Sequence, residues 1–354
     1  MPKIFRVTGL MSGTSLDGVD LACCEFSRKN KKWDFRILAA DTIPYPPPLL
    51  SQLEETREWN KVRLKELDIS LGRYFAMLIN EFHKQHGLRP DLISSHGHTI
   101  LHDPGNGITF QAGEGRTMAD LTGITVVNDF RREDVSQGGQ GAPLVPVGDR
   151  LLFGNFGSCL NLGGFANISY DQPKGHKIAF DIVPVNVALN RIARLKGLPY
   201  DKDGKLASLG IVDQKMLDRL NALEYFHMDP PKSLGREWFT RYHAPIVDLS
   251  KAEINDQMAT LTEHMAIQLS NAVNRSGAQS VLVTGGGALN LNLMKRFRKK
   301  CKTRIHIPQL KLILYKEALV FALLGLMKIR GEVNCLASVT GGASDLSAGT
   351  IHSI

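Results

Sequence analysis

The sequence predicts an α/β protein of two similar domains, and three observations carry that expectation. Three extended segments punctuated by turns occur near the start of the chain and again in its middle. Stretches of helical periodicity follow each set, and three turns of small residues each come directly after a predicted strand. The length of 354 residues suits about two domains at ~150 residues each.

Taken in order, Phe5 to Met11, Asp17 to Phe26 and Trp33 to Ile43 read as strands, and prolines from Pro44 to Pro48 end this meander. Leu64, Leu67, Leu71, Phe75, Leu78 and Phe82 then recur at steps of three and four, predicting a long helix stopped by Gly87 and Pro90. Short strands follow at Leu92 to Ser95, Ile108 to Gln111 and Ile124 to Asn128. After a glycine-rich loop, Gln137 to Pro143, the meander starts again as Ser158 to Gly163, Phe165 to Tyr170 and Lys177 to Val183. The two copies share pattern more than identity. Val185 to Lys196 is a predicted helix, and Ile254, Met258, Leu261, Met265, Leu269 and Ala272 mark one face of a long amphipathic one. A buried strand, Ser280 to Thr284, leads through GGGALN into a helix at Leu291 to Lys300, and Arg304 to Pro308 and Lys316 to Ile329 read as a strand and a mostly buried helix. The expected domains are 1–137 and 138–342, with the C-terminal 343–354 packing back on the first.

Composition narrows the function classes. With 43% hydrophobic and 22% charged residues, disorder and fibrous or disulfide-dense scaffolds are excluded. The five cysteines are odd in number and lack paired CxxC spacing, so they read as thiols of a reducing cytosol instead of zinc ligands. The N-terminal MPKIFRVTGLMSG has no apolar run of signal-peptide type. The longest apolar run, Ala318 to Met327, falls short of the ~20 residues that span a bilayer. The net charge of +8 is scattered in short clusters, Arg28 to Lys32 and Lys295 to Lys302, without interleaved aromatics, which argues for solvated faces and against a nucleic-acid stripe. A cytoplasmic protein with neither membrane nor nucleic-acid partner is expected.

The chemistry concentrates in the small-residue turns Gly9 to Gly18, Leu162 to Asn167 and Gly285 to Asn290. Such turns leave backbone N–H groups unshielded, and successive N–H groups form a concavity for phosphate oxygens. One turn alone is more often a plain hairpin or helix entry; three after strands in a duplicated chain point to a phosphate ligand. Hydroxyls at Ser12, Thr14 and Ser15 and carboxylates at Asp17 and Asp20 add donors and water-mediated metal contacts. Neither a Walker A loop nor GxGxxG is complete. Asp181, after the apolar Ile178 to Phe180, is read either as an acid aimed into a ligand cleft or as a helix cap. Asp201 and Asp203 read as turn residues. His96 and His98, at alternate positions, would share a face, but no third metal ligand lies nearby in sequence.

These motifs carry a resemblance. MSGTSLDGVD at Met11 to Asp20, SHG with Thr99, GITVVNDFRR ending at Arg132, GGQGAPLVP at Gly138 to Pro146, NLGGFANIS at Asn161 to Ser169, YDKDG at Tyr200 to Gly204, PPKSLGREWF at Pro230 to Phe239, VTGGGALN at Val283 to Asn290 and SVTGG at Ser338 to Gly342 run in register through essentially the whole chain. Together they resemble the 1,6-anhydro-N-acetylmuramic acid kinases, within the superfamily of acetate and sugar kinases, heat-shock chaperones and actin. The resemblance implies two actin-like (ribonuclease H-like) domains facing across a nucleotide-binding cleft. It also implies ATP- and Mg²⁺-dependent phosphorylation, with water addition, of the anhydro sugar released in cell-wall recycling, giving N-acetylmuramic acid 6-phosphate and ADP. A homodimer is implied by the family alone.

Carried over by position, Ser12, Gly13, Thr14, Ser15, Leu16, Asp17, Gly18, Val19 and Asp20 resemble the ATP phosphate turn, joined by Gly163, Gly164, Gly285, Gly286 and Gly287. Asp181 resembles the catalytic base, and His96, Thr99, Arg131, Asn186 and Glu317 lie in motifs expected near the sugar or phosphates. No residue is assigned directly to metal; Mg²⁺ is expected with ATP, through water near Asp17 or Asp20. The chain has FDIVPVN where many relatives read FDTGPGN, and SHGHT where they read SHGQT, so Val183 and Val185 alter the expected backbone path after Asp181 and His98 replaces an amide contact. The rival expectations are a kinase for a different sugar, and a nucleotide-binding protein of the same fold without catalysis.

Overall fold

Three strands at the N-terminus, β1 (Ile4–Ser12), β2 (Val19–Lys29) and β3 (Lys32–Ile43), pair antiparallel as the expected meander. β4 (Leu92–Asp103) returns parallel to β1 after the helix Lys61–His86, β5 (Ile108–Ala112) pairs back on β4, and β6 (Val126–Asn128) lies parallel on the other side. The second set repeats this plan: β7 (Ser158–Leu162), β8 (Phe165–Asp171) and β9 (Lys177–Pro184) form an antiparallel meander, β10 (Ser280–Thr284) runs parallel to β7, and β11 (Arg304–His306) runs parallel to β10. Both sheets therefore order their strands third, second, first, fourth (β3–β2–β1–β4 and β9–β8–β7–β10), followed by a parallel strand, β6 or β11, which is the duplicated actin-like α/β architecture expected from sequence. This computed structural model describes residues 3–13, 18–56, 59–172 and 175–354.

The chain divides into two compact units, Met1–Leu152 with Tyr315–Ile354, and Phe153–Leu314. The divisions expected at 137/138 and 342/343 thus move to 152/153 and 314/315. The reason is packing: the helix Val145–Leu152 is tied to the later helix Leu310–Ile329 by a buried Lys316–Asp149 ion pair at 2.9 Å, and that helix lies against the first sheet. β12 (Thr350–His352) adds an antiparallel edge strand on β6.

Within the first unit, the helix Lys61–His86 starts where the Asn60 side chain accepts from the Arg63 N–H at 3.0 Å and stops at left-handed Gly87. Its predicted stripe, with Leu71 and Phe75 fully buried, packs on one face of the sheet together with Leu10, Leu21 and Ile93. The opposite face meets the helix Leu310–Ile329 at very close range. A Cβ at Gly9 would collide with the backbone carbonyl of Ala318, and one at Gly325 with the Ser94 side chain. In the second unit the helix Ile254–Arg275 buries Met258, Leu261, Met265 and Leu269 in a core with Leu160, Leu162, Val183, Val281 and Val283.

Gly9→Ala is expected to destabilise the protein by ~1–3 kcal/mol through overpacking, read as a lower urea midpoint with the slope unchanged. Gly164→Ala, whose added Cβ meets nothing within 4 Å, is expected to stay within ~0.5 kcal/mol of the parent. Equal midpoints for the two variants would contradict the close approach of helix and sheet.

Candidate active site

Asp181 lies on β9, the edge strand of the second sheet, and the exposed strand edge is covered by the segment that follows Pro230. The Asp181 N–H donates to the Lys232 carbonyl at 3.3 Å, and its carbonyl accepts from the Tyr225 hydroxyl at 2.6 Å. With the backbone held on both sides, the carboxylate Oδ2 accepts from the Leu234 N–H at 2.9 Å, while Oδ1 makes no hydrogen bond to the described residues. Burial pushes the carboxyl up from 3.8 to about 6, against the Leu234 N–H, which favours the charged form. Asp181 is not a helix cap: the helix Asn186–Arg194 begins after Val185 and uses no side-chain cap.

Val183 and Val185 stand where the resembled motif has glycines, and neither has the left-handed φ that would require glycine. Both are fully buried in the core, and Val185 has φ −116°. The Val185 N–H donates to the Gly164 carbonyl at 2.8 Å, so the turn after β7 is fastened to the start of the helix. The Asn186 side chain donates to the Leu162 carbonyl at 3.3 Å. Gly285, after β10, has φ +82°, and a Cβ there would sit 2.7 Å from Asn161 Oδ1. At Gly286 an added Cβ would meet only Asn186 Nδ2, 3.7 Å away, and at Gly164 nothing. Fold geometry demands glycine at Gly285; open space surrounds Gly286 and Gly164. The structure thus gathers Gly163, Gly164, Asn186, Gly285, Gly286 and Gly287 at the C-terminal ends of the parallel strands β7 and β10, where open α/β sheets bind ligands.

In the first unit, Thr14, Ser15, Leu16 and Asp17, between β1 and β2 in sequence, fall outside the described residues. The residues flanking them are described. Ser12 is fully buried, and its hydroxyl bonds to the Tyr45 hydroxyl at 2.5 Å and to His98 Nδ1 at 2.7 Å, so the expected phosphate contact cannot come from this side chain. Val19 is likewise a core residue whose side chain is unavailable to a ligand. Gly18 has φ +145° and abuts the Ile43 carbonyl. Asp20 Oδ1 accepts from the Thr42 hydroxyl at 2.6 Å.

His96 and His98 do not share a face. Gly97, at φ +72°, carries a bulge in the pairing of β4 with β1, where Leu10 opposes Ser95 but Ser12 opposes His98. His96 therefore packs on Phe321 of the helix Leu310–Ile329, at 4.7 Å between rings, and His98 on Tyr45 at 6.0 Å, on the side of the helix Lys61–His86. His96 Nδ1 donates to the Gly97 carbonyl at 2.9 Å, which leaves Nε2 to accept from Arg131 Nε at 3.1 Å and Nη2 at 2.8 Å. Burial, and then the Arg131 charge, hold His96 well below its usual range, so it is neutral. Arg131 also donates from Nη1 to the Gly141 carbonyl at 2.6 Å, leaving one N–H on each terminal nitrogen without a partner among the described residues. Burial lowers Arg131 to about 10, and the Glu317 carboxylate is the charge that most opposes this. Three expected substrate residues, His96, Arg131 and Glu317, are thus brought together. Thr99, beyond the bulge, makes no side-chain hydrogen bond to the described residues.

Among the described residues no three His, Cys, Asp or Glu side chains gather as a metal site, and all five cysteines are free thiols. Asp201 and Asp203 keep their turn role: the Asp201 carboxylate accepts from the Leu206 and Ala207 N–H groups at 2.8 and 3.1 Å, and Asp203 has φ +60°. A cavity of about 210 Å³ beside Phe180, Ile182, Lys232 and Arg275 includes none of the expected site residues. Sequence reasoning missed Tyr225 and the Leu234 N–H, which hold Asp181, and Asp134, fully buried and bonded to the Gly141 N–H. The PPKSLG motif was the available signal for the Leu234 contact.

Comparison with known proteins places the chain in a family. The family model described as anhydro-N-acetylmuramic acid kinase matches residues 5–353. A Pseudomonas putida anhydro-N-acetylmuramic acid kinase is 37% identical over 81% of this chain and 82% of its own length. The Haemophilus influenzae protein of that name is 35% identical over 97% and 96%, and the Thiobacillus denitrificans one 35% over 97% and 96%. With the family's motifs in register from β1 to β12, the chain belongs to the anhydro-N-acetylmuramic acid kinase family.

Proposed function

We propose that the protein uses ATP to phosphorylate 1,6-anhydro-N-acetylmuramic acid while water opens the anhydro ring, giving N-acetylmuramic acid 6-phosphate and ADP in cell-wall recycling. The observation that carries this reading is the Asp181 carboxyl at about 6, with one oxygen fixed and the other available. In an anhydro sugar O6 is bonded to C1 and carries no proton, so it becomes a nucleophile only as the C1–O6 bond breaks. Asp181 Oδ1 takes a proton from water as the water oxygen bonds to C1, and the electrons of the C1–O6 bond pass to O6. O6 then bonds to the γ-phosphorus, and the bond from that phosphorus to the bridging oxygen breaks to release ADP. A base near 6 is charged at neutral pH yet basic enough for the transfer, an effect worth ~10²- to 10⁴-fold.

Gly13, Gly18 and the turn through Asp17 and Asp20 are assigned to the nucleotide phosphates, with Gly163, Gly164, Gly285, Gly286 and Gly287. The free space at Gly164 and Gly286 supports close phosphate approach to the backbone. Ser12 acts instead as the buried link to Tyr45 and His98. His96, Arg131, Glu317, Thr99 and Asn186 are assigned to the sugar, and the two remaining N–H groups of Arg131 suit its lactyl carboxylate. Bound Mg²⁺ supplies charge neutralisation for the transferring phosphoryl group. The ion is assigned to the nucleotide phosphates with one or two protein contacts, through water near Asp17 or Asp20. The protein is assigned to the cytoplasm, where ATP is available and thiols stay reduced. No described helix is long and apolar enough to cross a membrane. Sedimentation of the purified chain tests the homodimer that the family implies.

Asp181→Asn is expected to keep ATP affinity and lose ~10²-fold or more in turnover; turnover within about threefold of the parent would remove Asp181 from the base role. Because the base works only when ionised, kcat/KM should rise with pH, reach half its plateau at about pH 6 and stay level above, and the Asn variant should lack this limb. Gly286→Val should weaken ATP binding while the urea midpoint stays put; unchanged ATP affinity in the folded variant would sink the phosphate role of this turn. ADP release with the anhydro sugar but not with hydrolysed N-acetylmuramic acid is expected, and activity confined to the hydrolysed sugar would make the protein a different sugar kinase.

A further inference from the structure

Asp134 is fully buried on the short helix Arg132–Ser136, yet nothing in the reaction above uses it. Its Oδ2 accepts from the Gly141 N–H at 2.7 Å, and its Oδ1 accepts from the Thr340 hydroxyl at 2.6 Å. Gly141 faces two ways: its N–H is held by Asp134, and its carbonyl accepts from Arg131 Nη1. Gly141 has φ +64°, the left-handed backbone that glycine adopts freely, and an added Cβ there would also press on Val135 at 2.7 Å. The loop has a further anchor where the Gln140 N–H donates to the Thr340 carbonyl at 2.8 Å. The GGQGAP loop and the SVTGG segment, some 200 residues apart, therefore meet on one buried carboxylate whose loop partner holds Arg131.

We propose that Asp134 is a positioning residue for the substrate-binding guanidinium. Through Gly141 it fixes the Nη1 side of Arg131, while neutral His96 fixes the Nε and Nη2 side, so that the two unpaired N–H groups are held in one direction. A charged acceptor is suited to this task because a carboxylate bonds a backbone N–H more strongly than a neutral group does. Arginine alone would lose side-chain freedom on each binding event; a guanidinium already clamped on both sides does not. This inference rests on the assignment of Arg131 to the sugar.

The test is a double-mutant cycle with a second, non-kinetic readout. Asp134→Ala, and Asp134→Leu as a variant that keeps the buried volume, are compared with Arg131→Ala and with the double variants. The sugar KM is expected to rise ~10-fold or more in the Asp134 variants, the loss of one charge-assisted hydrogen bond, with kcat and the KM for ATP within about threefold. Asp134→Asn, which keeps an acceptor for Gly141, should recover most of the loss. In the Arg131→Ala background the Asp134 variants should add no more than about threefold. In chain labelled with ¹⁵N-histidine, with the signal assigned through His96→Gln, the His96 Nε2 resonance should move in the Asp134 variants toward its position in Arg131→Ala. Effects that multiply in the double variants, an equal rise in the ATP KM, or an unmoved Nε2 resonance in a folded Asp134→Ala or Asp134→Leu protein would each overturn the proposal. Should Arg131→Ala leave the sugar KM unchanged, the sugar assignment fails, and the Nε2 resonance alone decides whether Asp134 positions Arg131.

Discussion

A carboxylate taken out of water resists ionisation, and the site is arranged around how far Asp181 is allowed to resist. Burial raises its carboxyl toward neutral pH, while the single N–H bond from Leu234 keeps the charged form within reach. More donors on this group would make a strong acid and a poor base; complete burial without a donor would keep it protonated. The strand edge supplies the balance. β9 has sheet partners on one side only, and the segment after Pro230 covers the other, placing a backbone N–H where the carboxylate needs one. Tyr225, on the Asp181 carbonyl, fixes the backbone from which the side chain projects.

The rest of the proposed chemistry falls to backbone that duplication of one plan provides. In the second sheet the first strand, β7, runs into the Gly163–Gly164 turn at its C-terminal end, and its parallel neighbour β10 places Gly285 to Gly287 at the same end. The glycines of these turns have different reasons to exist. Gly285 answers a backbone angle and the pressure of Asn161, whereas Gly164 and Gly286 border empty space that a side chain would fill. Gly9 and Gly325 serve packing alone, admitting the helix Leu310–Ile329 so close to the first sheet that Glu317 acts electrostatically on Arg131.

The strand meanders, the long helices and the place of Asp181 on the last strand of the second meander were legible because each depends on local pattern: period-two strands, and three- and four-residue apolar steps. What was not legible depends on a single backbone distortion or on distant partners. Alternation placed His96 and His98 on one face, but the bulge at Gly97 inserts one residue and sends them to opposite faces, so one clamps Arg131 and the other bonds Ser12. Ser12 reads as a phosphate donor from its neighbours and is claimed instead by Tyr45, 33 positions away. Nothing in RREDVS singles out Asp134, because its partner Thr340 is 206 residues distant. The unit boundaries moved for a similar reason, since the Lys316–Asp149 pair that holds Val145–Leu152 on the first unit spans 167 residues.

The central claim is that Asp181 directs water to C1 in the same event that frees O6 for phosphorus. Reaction in H₂¹⁸O, stopped at short times, tests it most directly. The account predicts one labelled oxygen at C1 of the phosphorylated sugar, with configuration inverted at that carbon because water enters opposite the departing O6. It also predicts no label in the transferred phosphate and no free hydrolysed sugar. Retention at C1, or hydrolysed sugar accumulating without ADP, would contradict it.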